Sequence, residues 1–142
     1  MRRNVVIGAL AVAVLGIGGC GGSDSLTRAQ FVTRAEAVCT RVGKKIEQTP
    51  VRGLEDLARK LVALERGKAA GIAALEPPAS LRASVDEYVG AVRARAAFYV
   101  RALADIRARG KPRPASVEAV EVQTRERQLA KDLHLRACAT AA

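Results

Sequence analysis

The chain predicts an all-α domain, an antiparallel up-down four-helix bundle. Three observations point there. Apolar residues recur at spacings of three and four in four separate stretches, the stretches are divided by Pro- and Gly-containing breaks, and no stretch alternates residue by residue as a strand would. Composition agrees. Of the 142 residues 49% are hydrophobic, yet there is no Trp and the aromatics are only Phe31, Tyr88, Phe98 and Tyr99. Ala, Val and Leu must therefore build the core. Alanine is the best helix former, and a sandwich or barrel would want more β-branched and aromatic residues.

The first segment starts at Thr27, which with Gln30 forms a capping-box pattern flanked by Leu26 and Phe31 as a hydrophobic staple. Phe31, Ala35, Val38, Val42 and Ile46 form its stripe, Cys39 lies at the stripe's edge, and Thr49-Pro50 ends it. The second runs from about Gly53 to Leu75 on Leu54, Leu57, Leu61, Leu64, Ile72 and Leu75, interrupted by Lys68 and weakened by Gly67 and Gly71. Pro78 opens the third and longest, whose stripe is Leu81, Val85, Tyr88, Val92, Ala96, Tyr99, Leu103 and Ile106, with Gly110 as its C-terminal cap. After the basic connector Lys111-Pro112-Arg113-Pro114, the fourth runs from near Ser116 to Leu133 on Val117, Val120, Val122, Leu129 and Leu133. Leu135 to Cys138 is expected to be an irregular tail. Short connectors between four amphipathic segments favour the up-down order.

The first residues carry a different message. Met1-Arg2-Arg3-Asn4 is a positive head, and Val5 to Ile17 is uncharged and apolar. That stretch suits the roughly 7–15 residue apolar region of a signal peptide and falls short of the about 20 residues of a membrane-spanning helix. Ile17-Gly18-Gly19-Cys20 resembles the lipobox of bacterial lipoproteins, with Ile and Gly where Leu and Ala or Ser are commonest. The resemblance implies a diacylglyceryl group on the Cys20 sulfur and cleavage between Gly19 and Cys20. Residues 1–19 are then a signal peptide, residues 20–26 a lipidated cysteine with a flexible Gly/Ser tether, and residues 27–142 the bundle. An ordinary secretory signal or an uncleaved anchor is the alternative.

With Cys20 acylated, Cys39 and Cys138 remain as an even pair in a compartment that permits disulfides. A bond between them would close a loop of about a hundred residues, worth up to roughly 4.7 kcal/mol in the chain-entropy view. Two buried free thiols, or pairing between molecules, are the alternatives. Neither cysteine has a Cys or His neighbour at metal-ligand spacing, so no metal site is expected.

Over nearly its whole mature length the chain resembles small uncharacterised lipoproteins of actinobacteria. The residues that carry the resemblance are Leu26-Thr27-Arg28-Ala29-Gln30-Phe31-Val32, Ala35-Glu36-Ala37-Val38-Cys39, Pro77-Pro78-Ala79-Ser80-Leu81 and Leu133-His134-Leu135-Arg136-Ala137-Cys138. That group often has Gly at the positions of His134 and Ala139. The resemblance implies a helical, disulfide-closed envelope domain and no particular activity.

Chemistry-bearing residues are sparse. His134 is the only histidine and has no evident nucleophile beside it; at a helix C-terminus it reads first as a charge–dipole contact. The carboxylates Glu55-Asp56, Asp86-Glu87 and Glu118 with Glu121 could bind a cation or move protons, but they sit among Gln and Arg as on a solvated helix face. No Glu-x-x-His pair, phosphate loop or haem ligand pair is present, so neither an enzyme nor a cofactor is expected. The formal net charge is +10. Arg93, Arg95, Arg101, Arg107, Arg109, Lys111 and Arg113, with Asp105 the only acid among them, form a basic run that could contact anionic lipid or cell-wall polymer. A solvated face is the other reading of that run. Nucleic acid is not expected, because Tyr88 and Tyr99 fall on the apolar stripe rather than on an open stacking platform.

The expectation is thus an exported, membrane-anchored lipoprotein, extracytoplasmic, whose helical domain is a non-enzymatic binding or structural module. A basic domain docking on anionic surfaces and an enzyme using His134 or a carboxylate pair are the two alternatives.

Overall fold

The structure is a computed structural model and describes residues 25–112 and 117–140. The signal peptide, Gly19, Cys20 and Arg113 lie outside the described residues. What is described is all-helical, with no strand among those residues. The elements are α1 (Arg28–Gln48), α2 (Leu54–Ala73), a 3₁₀ turn (Ala79–Leu81), α3 (Arg82–Arg109), α4 (Val117–Asp132) and α5 (Arg136–Thr140).

Helix α1 starts as its sequence dictates. The Thr27 hydroxyl accepts from the Gln30 backbone N–H at 3.3 Å and the Gln30 side chain accepts from the Thr27 N–H at 2.9 Å, so two otherwise orphaned donors satisfy each other's residues. The Leu26 N–H donates to the Glu76 carbonyl at 3.1 Å, which ties the start of α1 to the end of the α2 segment. Leu26 and Phe31 are both in the core. The stripe then rotates toward Cys39, which is fully buried, while Val38 is half-buried and Ile46 is exposed. Gly71 explains the position of Val38. A Cβ at residue 71 would sit 3.0 Å from Val38 Cγ1, so the glycine lets α1 approach α2 closely, whereas nothing lies within 4 Å of Gly67.

Helix α3 begins after the 3₁₀ turn and ends at Gly110, whose φ of 73° is the left-handed conformation suited to a C-terminal cap. Its buried residues include Val85, Tyr88, Val92 and Ala96 as expected, and also Arg95. Helix α4 corrects the expected stripe. Val117 and Val120 point outward, and the inward residues are Glu126 and Ala130, followed by Leu133.

The chain's end corrects a second expectation: the tail is helical. At the α4 terminus the Leu135 N–H donates to the Ala130 carbonyl at 2.8 Å and the His134 N–H to the Lys131 carbonyl at 2.9 Å. This is a Schellman motif, which needs a left-handed residue, and His134 takes that conformation with φ 60°. The turn sends Leu135 and Cys138 into the core and starts α5. The Ala137 N–H at the start of α5 donates to Glu36 Oε2 at 2.8 Å.

Cys39 and Cys138 are bonded, with S–S 2.03 Å and Cα–Cα 5.0 Å. The helices pack in a ring, α1 on α2, α2 on α3, α3 on α4, α4 on α5 and α5 back on α1. The disulfide lies in the α5–α1 contact.

Candidate functional site

Sequence patterning missed the most unusual site in the domain. Glu65 and Lys68 from α2, Arg95 from α3 and Glu126 from α4 meet in the interior, with relative exposures of 1%, 0%, 8% and 0%. Their positions follow from helix geometry. Glu65 and Lys68 are three apart and so share a face, which is turned to α3 by the neighbouring Val62, Ala69 and Ile72. Lys68 Nζ donates to Glu126 Oε1 at 2.6 Å, and Arg95 Nη1 donates to Glu126 Oε2 at 3.3 Å. Glu126 is thus the hub, with both oxygens engaged by cations. Arg95 Nε also lies 3.6 Å from Glu65 Oε1. Arg95 Nε and Nη2 donate to the Tyr99 hydroxyl at 3.2 and 3.1 Å, and the guanidinium carbon is 5.7 Å from the Tyr99 ring centre.

The group carries two positive and two negative charges, so it is balanced. Buried charges need such pairing, because the interior does not solvate them. Glu65 is the weaker member. Its buried Oε2 meets Lys68 Nζ alone, at 2.7 Å. Burial pushes the Glu65 carboxyl above the usual carboxylate range, with Glu126 adding to the effect and Lys68 and Arg95 opposing it. Nearby Tyr88 is fully buried, its hydroxyl 3.9 Å from Cys39 Sγ, and burial likewise raises its phenol.

The basic run does not form one surface. Arg95 is corrected outright: it belongs to the buried cluster and cannot touch a bilayer or polymer. Arg101 pairs with Glu118, Arg107 with Glu55 at 2.9 Å, and Arg109 with Asp105 at 2.9 Å. Arg93 and Lys111 are exposed, with no carboxylate partner among the described residues. Of the candidate carboxylates, Glu55 and Glu118 hold those arginines, Glu87 holds Arg125 at 2.9 Å, and Asp56 pairs with Lys60. The Lys60 hydrogen bond, with one from the Arg52 N–H, holds the Asp56 carboxyl below its usual range. Glu121 and Asp86 are exposed, and Asp86 lines a groove together with Glu76. Among the described residues no group of His, Cys, Asp and Glu is arranged to hold a metal ion. His134 is exposed, and its structural task falls to its backbone.

A groove of about 540 Å³ runs beside Ser25 between the end of α2 and the first half of α3. Leu75, Val85 and Val89 line it, with Arg82, Arg93, Glu76 and Asp86 also in its wall. Its size falls in the range of small-ligand sites, roughly 300–1,000 Å³, but its charges cancel and select no ligand. Ser25 marks the end of the domain at which the chain arrives from Cys20. The residues from Arg101 to Arg109 lie toward the other end of α3 (Arg82–Arg109), roughly 30–40 Å from its start at 1.5 Å per residue.

No protein-family model matches the chain, and no curated protein or solved structure matches it.

Proposed function

We propose that the chain is an exported lipoprotein, cleaved after Gly19 and anchored through lipid on Cys20, whose disulfide-closed helical domain is a non-enzymatic binding or structural module of the cell envelope. One observation carries the reading: Cys39 and Cys138 are bonded to each other in the core, which leaves Cys20 as the only remaining cysteine of the three. A structural disulfide suits an oxidising compartment, and the unpaired thiol is the one that follows Ile17-Gly18-Gly19. Among the described residues no helix is long and apolar enough to cross a membrane, so membrane attachment in this account falls to the lipid.

The same reading takes α1 to α4 as an up-down-up-down set. It is supported by the Leu26–Glu76 bond, which puts the start of α1 beside the end of the α2 segment, and by the Arg107–Glu55 pair, which puts the end of α3 beside the start of α2. The mutual pairing of Arg101, Arg107 and Arg109 with acids makes general electrostatic docking the weaker alternative.

Membrane fractionation of wild-type and Cys20→Ser protein tests the anchor. The wild type is expected with membranes, and the variant unprocessed or released. Processed, membrane-bound Cys20→Ser protein would refute the assignment.

A further inference from the structure

Helix α1 carries a row of cations that no acid neutralises. Arg34, Arg41 and Lys45 follow one another at seven and four residues. At about 100° per residue they fall within about 40° of one another round the helix. Lys44 sits about 60° from Arg41, on the side turned away from the core. The four span about 16 Å along α1 and all are exposed. None has a carboxylate partner among the described residues. The row runs along the side of α1 that meets α2 at Val38 and Gly71, and α2 offers it no free acid. Glu55 holds Arg107, Asp56 holds Lys60, and Glu65 is buried. The acids of α1 itself, Glu36 and Glu47, lie on the other flank, where Glu36 accepts from the Ala137 N–H. The arginines of α3 differ, since Arg101, Arg107 and Arg109 each hold an acid.

We infer that this face of α1 is where the domain lies on the anionic headgroups of the bilayer that holds its lipid. The inference rests on the anchored reading, because the tether selects the bilayer among anionic partners. From Cys20 to Ser25 is five residues, a reach of at most about 18 Å. Helix α1 therefore starts close to the headgroups and has the freedom to lie along them. Four like charges on one flank suit a surface of opposite charge, with an attraction that fades beyond about 8–10 Å at physiological salt. Ala37 and Gln48 are the exposed residues among the cations, so this face has no large apolar side chain to insert and the contact is with headgroups. An acidic protein or an anionic polymer would match the charge, but the tether already holds the row beside the bilayer.

The test takes the full protein purified from native membranes, with a photo-crosslinking residue in place of Ala37, into vesicles of phosphatidylglycerol with phosphatidylcholine or of phosphatidylcholine alone. Thr124, exposed on α4, is the control position. The expected result is a lipid adduct at 37 in the anionic vesicles, several-fold above that at 124 and above that in phosphatidylcholine, and lost at high salt. Arg41→Glu with Lys45→Glu should cut the yield about tenfold, while the melting temperature confirms that this double variant is folded. An equal yield in phosphatidylcholine, at 124, at high salt or in the double variant would each overturn the inference. So would an adduct to a protein or polymer in place of lipid when position 37 is crosslinked in native membranes. Intact mass of the same preparation reads the lipid on Cys20 separately. Lipidated protein without the adduct keeps the anchor and removes the docking face, whereas unlipidated protein removes both.

Discussion

Replacing Glu126 by Gln removes the charge that both buried cations share. Lys68 Nζ is 2.6 Å and Arg95 Nη1 is 3.3 Å from its two oxygens, and Lys68 and Glu126 are completely shielded from water. The isosteric amide keeps the volume, so packing loss is small. What remains is an interior with two cations and only Glu65 to balance them. Breaking a buried pair by removing one partner costs about 3–5 kcal/mol, a large part of the 5–15 kcal/mol that typical domains possess. At roughly 3–5 °C per kcal/mol for a domain of this size, the melting temperature should fall by about 10–20 °C. Urea and thermal unfolding followed by circular dichroism, with the disulfide intact, measures it. A double-mutant cycle with Lys68→Met isolates the pair, and its coupling energy should exceed about 1.5 kcal/mol. A cost for Glu126→Gln below about 1 kcal/mol would show that the charges are solvated in solution and that the buried cluster does not hold α4 on α2 and α3.

Glu65 should behave in the opposite way. Its folded carboxyl binds a proton more readily than its ordinary value near 4.5, so between that value and its raised one the folded state holds more protons than the unfolded state, and its contribution to stability falls as pH rises. Glu65→Gln should therefore gain on the wild type as pH is raised from 4.5 to neutrality; parallel stability curves for the two proteins would rule this out. His134→Gly relieves a side chain in the left-handed conformation and should stabilise by about 1 kcal/mol, read as a higher urea midpoint at unchanged m-value. Gly67→Ala, with open space around it, should stabilise by about 0.5–1 kcal/mol through helix propensity. Gly71→Ala should lose that gain to the contact with Val38, so equal melting shifts for the two would argue against the close approach of α1 and α2.

Local signals in the sequence were legible where the physics is local. The Thr27–Gln30 capping box, the Gly110 cap and the long α3 stripe need only neighbouring residues, and all three are in place. The cysteine pair was legible by counting. The buried cluster was not, because each member looks like a fault when read alone. Lys68 broke the α2 stripe, Arg95 joined a basic run, and Glu65 and Glu126 did not stand out from the polar residues around them. The signal lay in their register: Arg95 is three residues after Val92 and four before Tyr99, and Glu126 is four before Ala130 and seven before Leu133. Four inward positions on three helices were charged, and the charges explain one another only once the helices are adjacent. The same misreading put Val117 and Val120 inside, since apolar character was taken for orientation where the cations of α2 and α3 set the face of α4. The helical tail followed from a left-handed histidine, a conformation that the sequence alone does not favour.

The central claim, a lipid on Cys20 with the other two cysteines joined, is tested most directly by the intact mass of the protein taken from native membranes, before and after reduction. The account predicts a chain beginning at Cys20, heavier than residues 20–142 by a diacylglyceryl group or more, that gains two hydrogens on reduction. A chain that retains residues 1–19, or one that begins at Cys20 without lipid, would contradict it.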